Sequence, residues 1–532
     1  MKFSDLHSHN HSRAYFWLKP NQQRHERKDQ YSPWTVISSN LRAEAKGKRA
    51  AAYSQSDLVK LWNGKVRLTF NALYPIERGF FMAGTSASKG KNKFLREIIR
   101  IATSHKLPLR DIIQMAYMKV PDALIDFVQS NDYDYWEWLQ DEFKFISSEN
   151  GKRVSNKIFT PGLLRQIFES RDNRRSLYPD SYDAKGIYVI PKNRAELKQS
   201  LAREEITMVL TIEGMHSIGT DQADVTTCLA RVDLMKKTWS SPIFFITFAH
   251  HFDNFLCGHA RSLPDIGQWV MNQDSRRDGE FTNDGRRILR KLLSIDDNGN
   301  PVPGDGYRIL IDVKHMSAAS RKQYYQEVVQ QCASRGDIIP VIASHCGYSG
   351  VKTLDEQIQA CKSKKEKDDY FDPSGVYNAW NINMTDEDIM MIFNTRGLFG
   401  LSFDQRILGV PKAQINEGGR NTIEALWNNV RGVMQVIYND ATVSEPDKVL
   451  AWDHISIGTD YEGYIDPINR YNTVLDFKLF RDELVAVIDQ ERRSANPPAC
   501  LKHFNSTAAV ESAVDKLCFT NAEEFTVRNY PK

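Results

Sequence analysis

The sequence predicts an α/β fold: a (β/α)8 barrel of the TIM type with a large helical insertion and smaller loop inserts. Three observations carry that expectation. Eight short apolar runs, rich in β-branched and aromatic residues, recur along the chain as buried parallel strands should. Helical patterns separate them. Five of the runs lead into a His, Glu or Asp, the residue types that carry chemistry at the C-terminal strand ends of such barrels. A doubly wound open sheet would also explain the alternation. It would not explain why metal-type residues converge from the first strand to the last.

The first run opens at Phe3 and carries Asp5-Leu6-His7-Ser8-His9. On a strand, residues i and i+2 share a face, so His7 and His9 can bind one divalent ion together; a polar N-terminal arm is the plain alternative. The second run, 66–74, follows a helical pattern at 56–62 and closes on Tyr74, which either lines a pocket or simply packs. Glu213 follows His7 at a distance far longer than three β/α steps require, and the stretch 80–185 holds the excess. It is expected to be a helical insertion near the barrel mouth, with helix-like stretches at 92–105 and 109–129. Its aromatic cluster from Tyr133 to Leu139 fits a core better than a ligand box. The third run, 206–212, leads into Glu213-Gly214, and the fourth, 243–249, into His250-His251. The fifth, 308–314, ends at His315, and the sixth, 338–344, at His345. Helical patterns at 221–237, 284–294 and 318–334 lie between them, and 296–307 is a Gly/Pro/Asp-rich loop. The charge run 362–369 reads as a solvated loop. Thr385 can cap the helix over 385–393 that precedes the seventh run, 397–403. The eighth, 454–459, opens on His454, read as structural, and ends at Asp460. The barrel is thus expected over 1–79 and 186–465, with a C-terminal helical segment, 466–532, packed beneath or beside it.

Composition excludes several classes. Seventy Lys and Arg against 67 Asp and Glu leave a formal charge of +3, so no basic field would steer nucleic acid. Mean hydropathy is −0.49, and no apolar run approaches the ~20 residues that span a bilayer, so no membrane partner is expected. The seven cysteines are scattered with no C-x-x-C pair, which argues against a disulfide framework or a cysteine zinc site. The N-terminus shows no apolar leader, and a cytoplasmic location is the expectation. A small-molecule substrate fits the balanced charge.

In this order the motifs resemble the amidohydrolase superfamily and, within it, the membrane (renal) dipeptidase family. Asp5-Leu6-His7-Ser8-His9 stands where that family has its first-strand His-x-Asp. Thr211-Ile212-Glu213-Gly214 resembles its Glu-Gly turn, and Phe248-Ala249-His250 its fourth-strand Leu-Thr-His. Leu310-Ile311-Asp312-Val313-Lys314-His315-Met316-Ser317 is similar to Leu-Ile-Asp-Val-Ser-His-x-Ser, and Ala343-Ser344-His345 to the sixth-strand Ser-His. The segment from Asp453 to Gly463 is similar to Asp-His-x-Gly-Asp-Phe-Asp-Gly. The resemblance implies a (β/α)8 barrel with two zinc ions, a bridging Glu213, and a fourth-strand His250 that contacts substrate.

Two departures stand out. His9 replaces a carboxylate by a neutral imidazole, removing a negative charge without removing a ligand. Where the family has Arg-Asn before a helix start, this chain reads Trp380-Asn381-Ile382-Asn383-Met384-Thr385, so Asn383 lacks the Arg that would pair a dipeptide carboxylate. Metal-dependent hydrolysis of an amide or peptide-type bond is the expected activity.

The residue types suit that chemistry. A carboxylate has two oxygens, so Glu213 can bridge two divalent ions that lower the pKa of a hydroxide held between them; a helix-first-turn carboxylate is its plain alternative. His7, His9 and Glu213 are assigned to one ion, and Glu213, His315 and His345 to the other. Imidazole suits zinc, with manganese, iron or cobalt as alternatives. Asp460 is expected to take and return the proton and to touch a metal; a turn-capping Asp is the alternative. His250 would stabilise the oxyanion, and Asn383 and Tyr74 are further substrate-binding candidates. His251 reads as structural, and His11 as solvated or as supporting the ligands from behind. His216 and His259 belong to top-face loops. A PHP-type metallophosphoesterase begins with the same Asp-Leu-His-Ser-His, but its late Asp-x-His is absent here. A non-catalytic metal-binding barrel is the non-enzyme alternative, and a homodimer is compatible with either kind of barrel.

Overall fold

The computed structural model describes residues 1–23, 31–36, 54–81, 122–157, 183–263, 271, 273–363, 366–367, 370–411, 423–463 and 465–532. Its central sheet runs through eight parallel strands in chain order: β1 (Phe3–Ser8), β2 (Val66–Leu73), β3 (Ile206–Glu213), β4 (Ile243–Thr247), β5 (Leu310–Asp312), β6 (Ile342–Cys346), β7 (Leu398–Leu401) and β8 (Ile455–Ile457). The two ends of the sheet meet at the C-terminal side of the strands. Asp460 N–H donates to the His7 carbonyl and His9 N–H to the Tyr461 carbonyl, both at 3.0 Å. With helices between the strands, this is the expected (β/α)8 barrel.

Every residue of β2 and β3 is buried, as befits strands covered on both faces. Alternate residues divide between two apolar layers. Leu6, Leu68, Phe70, Val209, Phe245, Leu310, Ile342 and Leu398 form one cluster drawn from β1 to β7, which fills the barrel interior. Leu210, Ile212, Ile246, Ile311, Leu401 and Ile457 belong to the larger cluster shared with the helices. Phe525 and Tyr530 of the C-terminal segment join the interior cluster and meet Phe244 edge-on and tilted, respectively. The strand ends can approach closely only because of glycine. A Cβ at Gly400 or Gly458 would lie 1.8 or 2.0 Å from the Ser344 carbonyl oxygen.

Helix boundaries follow their caps. Asp224 accepts from Thr227 N–H and starts a helix at Val225–Thr238, four residues later than the pattern from 221 predicts. Thr385 caps Asp386–Asn394 as expected, and Asp388 returns a bond to the Thr385 N–H to complete a capping box. Fully buried Arg321 bonds Asp388 at 3.0 Å and the carbonyls of Met316 and Asn381 at 2.8 Å, tying the loop after β5 to the segment before β7.

Within the long stretch before β3, the described residues form helices Asp122–Val128 and Tyr135–Ser147 and a two-stranded antiparallel ribbon. The helix pattern at 92–105 and most of that at 109–129 lie outside the described residues. The aromatic cluster packs as core: Trp138 is 1% exposed and meets Tyr15, Phe16 and Tyr133. In the 362–369 run Lys362, Ser363 and Lys367 are exposed, as expected of a solvated stretch, while half-buried Glu366 accepts the Asn381 N–H and Lys367 O accepts Trp380 Nε1–H at 2.8 Å; residues 364, 365, 368 and 369 lie outside the described set. All seven cysteines are free. Among the described residues no helix is long and apolar enough to cross a membrane.

Candidate active site

The strand ends converge on Glu213, the last residue of β3. Gly214 follows it at φ +88°, a conformation that favours glycine, and a Cβ there would lie 2.3 Å from His216 Nδ1. Five imidazoles face the Glu213 carboxylate. Oε1 lies 3.3 Å from His7 Nε2, 3.4 Å from His250 Nε2 and 3.6 Å from both His315 Nε2 and His345 Nε2. Oε2 lies 3.0 Å from His9 Nε2. Asp460 stands opposite, with Oδ1 3.8 Å from His7 Nε2 and 4.0 Å from His9 Nε2, and Oδ2 4.0 Å from His345 Nε2. His315 and Asp460, just beyond β5 and β8, hold φ near +65°, a strained geometry for non-glycine residues that turns both side chains out of the strand direction.

Hydrogen bonds set the imidazole tautomers. His9 Nδ1 faces the Ala72 carbonyl at 3.2 Å; a carbonyl only accepts, so the hydrogen is on Nδ1 and Nε2 presents its lone pair. Ser344 donates to Asp312 at 2.6 Å, so its oxygen takes the Nδ1 hydrogen of His345 at 2.8 Å and again leaves Nε2 free to bind. Both ring nitrogens of His7 and Nδ1 of His315 are buried with no protein hydrogen-bond partner. His315 Nε2 and His345 Nε2 face each other at 3.2 Å. Burial keeps these rings neutral: it lowers His7 and His345 and takes His315 down to about 3. Burial works against the charge on Glu213, but His250 and His7 outweigh it and hold the carboxyl well below its usual range. Burial first, and the Glu213 charge second, push Asp460 well above its own.

Converging neutral imidazoles, orphaned buried nitrogens and two carboxylates are a donor set that fits divalent metal ions. One ligand atom each from His7, Glu213, His345 and Asp460 lies within 4.8 Å of the others, and Glu213, His250 and His315 form a second such group. The structure therefore groups the donors differently from the sequence expectation. His345 stands with His7, their rings stacked 4.0 Å apart, while His315 stands by His250 with ring centroids 4.7 Å apart. His9 remains within reach of both Glu213 and Asp460.

Other expected residues fall into place or out of it. Tyr74 lines the mouth and meets His250 and His9 edge-on at 4.9 and 5.7 Å. Asn383 does not. Its amide is committed to the Gly347 N–H and the carbonyls of Asn378 and Ile407, and it is fully buried, so its hydrogen bonds shape the loop. His11 is buried, not solvated, bonding Glu142 at 2.9 Å and Asn71. His251 also lines the mouth and bonds Ser262. His216 bonds Pro75 O, His259 bonds Ala260 O and Ser275 O, and His454 bonds Gly397 O.

Three residues escaped the sequence reading. Glu77 accepts from His250 Nδ1 at 2.5 Å and from Phe252 N–H at 3.1 Å. Burial opposes ionised Glu77, yet His250 and His216 lower its pKa; burial likewise opposes charged His250, while Glu213 and Glu77 raise it. Glu77 lies just beyond the end of β2, the position the other functional residues share, and that was its available signal. Glu142, from helix Tyr135–Ser147, bonds His11 and the Tyr74 N–H and so ties that helix to the strand ends. Lys314 lines the mouth from the end of β5.

No known family model and no curated protein matches the chain. Among solved structures it is similar to a metallo peptidase from Rhodobacter sphaeroides liganded with a phosphinate mimic of the dipeptide L-Ala-D-Ala, at 13% identity and a TM-score of 0.48 over 99% of both chains. It is also similar to dipeptidase AC, a metallo peptidase of family M19, at 13% identity and a TM-score of 0.45 over 100% of this chain and 99% of that one. A third is the probable dipeptidase PvdM from Pseudomonas aeruginosa, at 13% identity and 0.42 over 95% and 97%.

Proposed function

We propose that the chain is a metal-dependent hydrolase of the amidohydrolase type, similar to membrane dipeptidases, cleaving an amide or peptide-type bond of a small molecule. The observation that carries this reading is the convergence of His7, His9, His250, His315 and His345 on one buried carboxylate, Glu213, with Asp460 opposite. His7, His9, Glu213, His315, His345 and Asp460 would hold two divalent ions, zinc by ligand type. Such ions, when bound, polarise a carbonyl and acidify water.

The chain's own groups supply the rest. Asp460 has its pKa above the usual carboxylate range, so it can take a proton at a carboxylate oxygen and return it to a leaving amine. His250 is oriented through Nδ1 by Glu77, and its raised pKa favours a hydrogen on Nε2, which then donates to the oxygen that gains charge. Tyr74 packs against that ring and limits its movement.

The test is to strip the protein of metal, reload it with zinc, and assay dipeptides, acylated amino acids, lactones and phosphoesters. Amide hydrolysis that disappears with chelator is expected. Phosphoester cleavage alone would overturn the reading, and so would silence on every substrate at full metal occupancy. In the same assay Asp460→Asn should cut turnover by about 100- to 10,000-fold while elemental analysis still finds metal.

A further inference from the structure

Lys314 is a charged side chain at this mouth that the catalytic scheme does not use. It follows Val313 directly after β5, adjoins His315 in sequence and lines the same pocket as Glu213, His345 and Asp460. The residue is 1% exposed, and its Nζ is buried with no protein group in hydrogen-bonding position. Burying an ammonium without a hydrogen-bonded anionic partner costs free energy, and such placements persist where the charge serves binding or catalysis.

Asp460 feels the Lys314 charge, but no surrounding carboxylate hydrogen-bonds the ammonium. Arg406, the other described cation lining the mouth, is engaged with Asp404 through Nε at 3.1 Å and a second guanidinium nitrogen at 2.6 Å. Glu462 is occupied by Arg13, Ser54 and the N–H groups of Gln55 and Ser56. Glu213 is ringed by imidazoles, and Asp460 makes no hydrogen bond to Lys314. Divalent ions held by these donors would add positive charge to the same pocket, making a further anion from outside more favourable.

We propose that Lys314 is a specificity-determining residue that seats a carboxylate of the substrate against the metal-facing floor. A carboxylate suits one ammonium, a compact point charge with three donors; a phosphate dianion at a comparable depth is ordinarily met by several donors or by guanidinium forks. The position also fits the absence of an Arg before Asn383: the cation comes from the end of β5, not from the segment ahead of β7. This inference rests on the hydrolase reading of the same pocket.

The test titrates acetylglycine, acetylglycinamide and inorganic phosphate calorimetrically into the metal-loaded protein and into its Lys314→Met and Lys314→Arg variants, and follows the melting temperature of each. Acetylglycine is expected to bind at least tenfold more tightly than its amide. Lys314→Met should erase that preference and Lys314→Arg retain part of it. Lys314→Met should also melt at or above the wild-type temperature with and without metal, since it removes a buried unpaired charge. An unchanged preference in Lys314→Met overturns the proposal, as does a lowered melting temperature, which would make Lys314 structural. Lys314-dependent binding of phosphate but not of acetylglycine overturns the carboxylate assignment. Hydrolysis without a Lys314-dependent preference sinks this inference alone. The preference without hydrolysis of any substrate sinks the hydrolase reading alone.

Discussion

Glu213 and Glu366 are two carboxylates in crowded, titratable surroundings, and the surroundings move them in opposite directions. Glu213 meets five imidazole nitrogens; burial opposes its charge, and His250 foremost, with His7 and His315, holds its pKa well below the usual range. Glu366 lies within 4.8 Å of Asp278 and Cys361 through their ligand atoms, and burial, aided by the Asp278 charge, pushes it up to about 7. On a count of acidic and thiol donors, the second cluster also qualifies as a metal site. It differs in its hydrogen bonds: Glu366 accepts the Asn381 N–H and Asp278 accepts from the Asn381 side chain at 2.7 Å. At Glu213 the neighbours are imidazoles, those of His9 and His345 with lone pairs turned inward, and the nitrogens of His7 and Nδ1 of His315 are satisfied by no protein group. The state of the neighbours, more than the number of acids, separates a candidate metal centre from a half-buried polar anchor.

Three substitutions test that contrast. Glu213→Gln removes the charge on which the imidazoles converge, and should lower turnover by on the order of a thousandfold and strip metal on dialysis, read by elemental analysis. Retention of metal and activity would reduce Glu213 to a structural acid. Glu77→Gln leaves every candidate ligand in place but weakens the hold on His250. A fall in kcat of roughly 10- to 100-fold, with metal content and KM little changed, is expected. Loss of metal instead would make His250 a ligand positioned by Glu77.

The smallest effect is at Glu366, and it is a matter of pH. Its folded-state pKa lies above the ordinary 4.5, so the protonated group's contribution to stability is fully present below that value and is lost as pH rises through about 7. Between pH 5 and pH 8 the wild-type protein should lose about 1–2 kcal/mol from this group, after allowance for its partial exposure to solvent. Glu366→Gln keeps an oxygen for the Asn381 N–H and should not show that loss. Denaturant unfolding of both proteins at the two pH values measures the difference, and equal pH dependence would refute the shift.

The difference between the clusters also marks how far the sequence could be read. Each of His250, His315, His345, Glu213 and Asp460 closes or follows an apolar run, so local pattern together with the geometry of a parallel barrel was enough to bring them to one face. Glu77 shares that placement but lies four residues past its strand, and only the packing of His250 against it reveals its role. Glu142 gave no signal, because its helix lies far along the chain from His11 and meets it through folding alone. Asn383 misled because a polar residue near a strand end can as readily bond backbone as substrate, and here three backbone groups take its amide.

By itself, the sequence determined the eight strands, the barrel and the His, Glu and Asp positions at the strand ends, because hydrophobic period and strand-end position are local properties that survive any arrangement of the loops. The tertiary structure decided which donors group together, which tautomer each imidazole adopts, how far Glu213, Asp460 and Glu366 move from their ordinary pKa values, and that Lys314 is buried without a partner. These depend on distances between residues remote in the chain and on the water excluded when the strand ends close, and neither is written in any local stretch of residues.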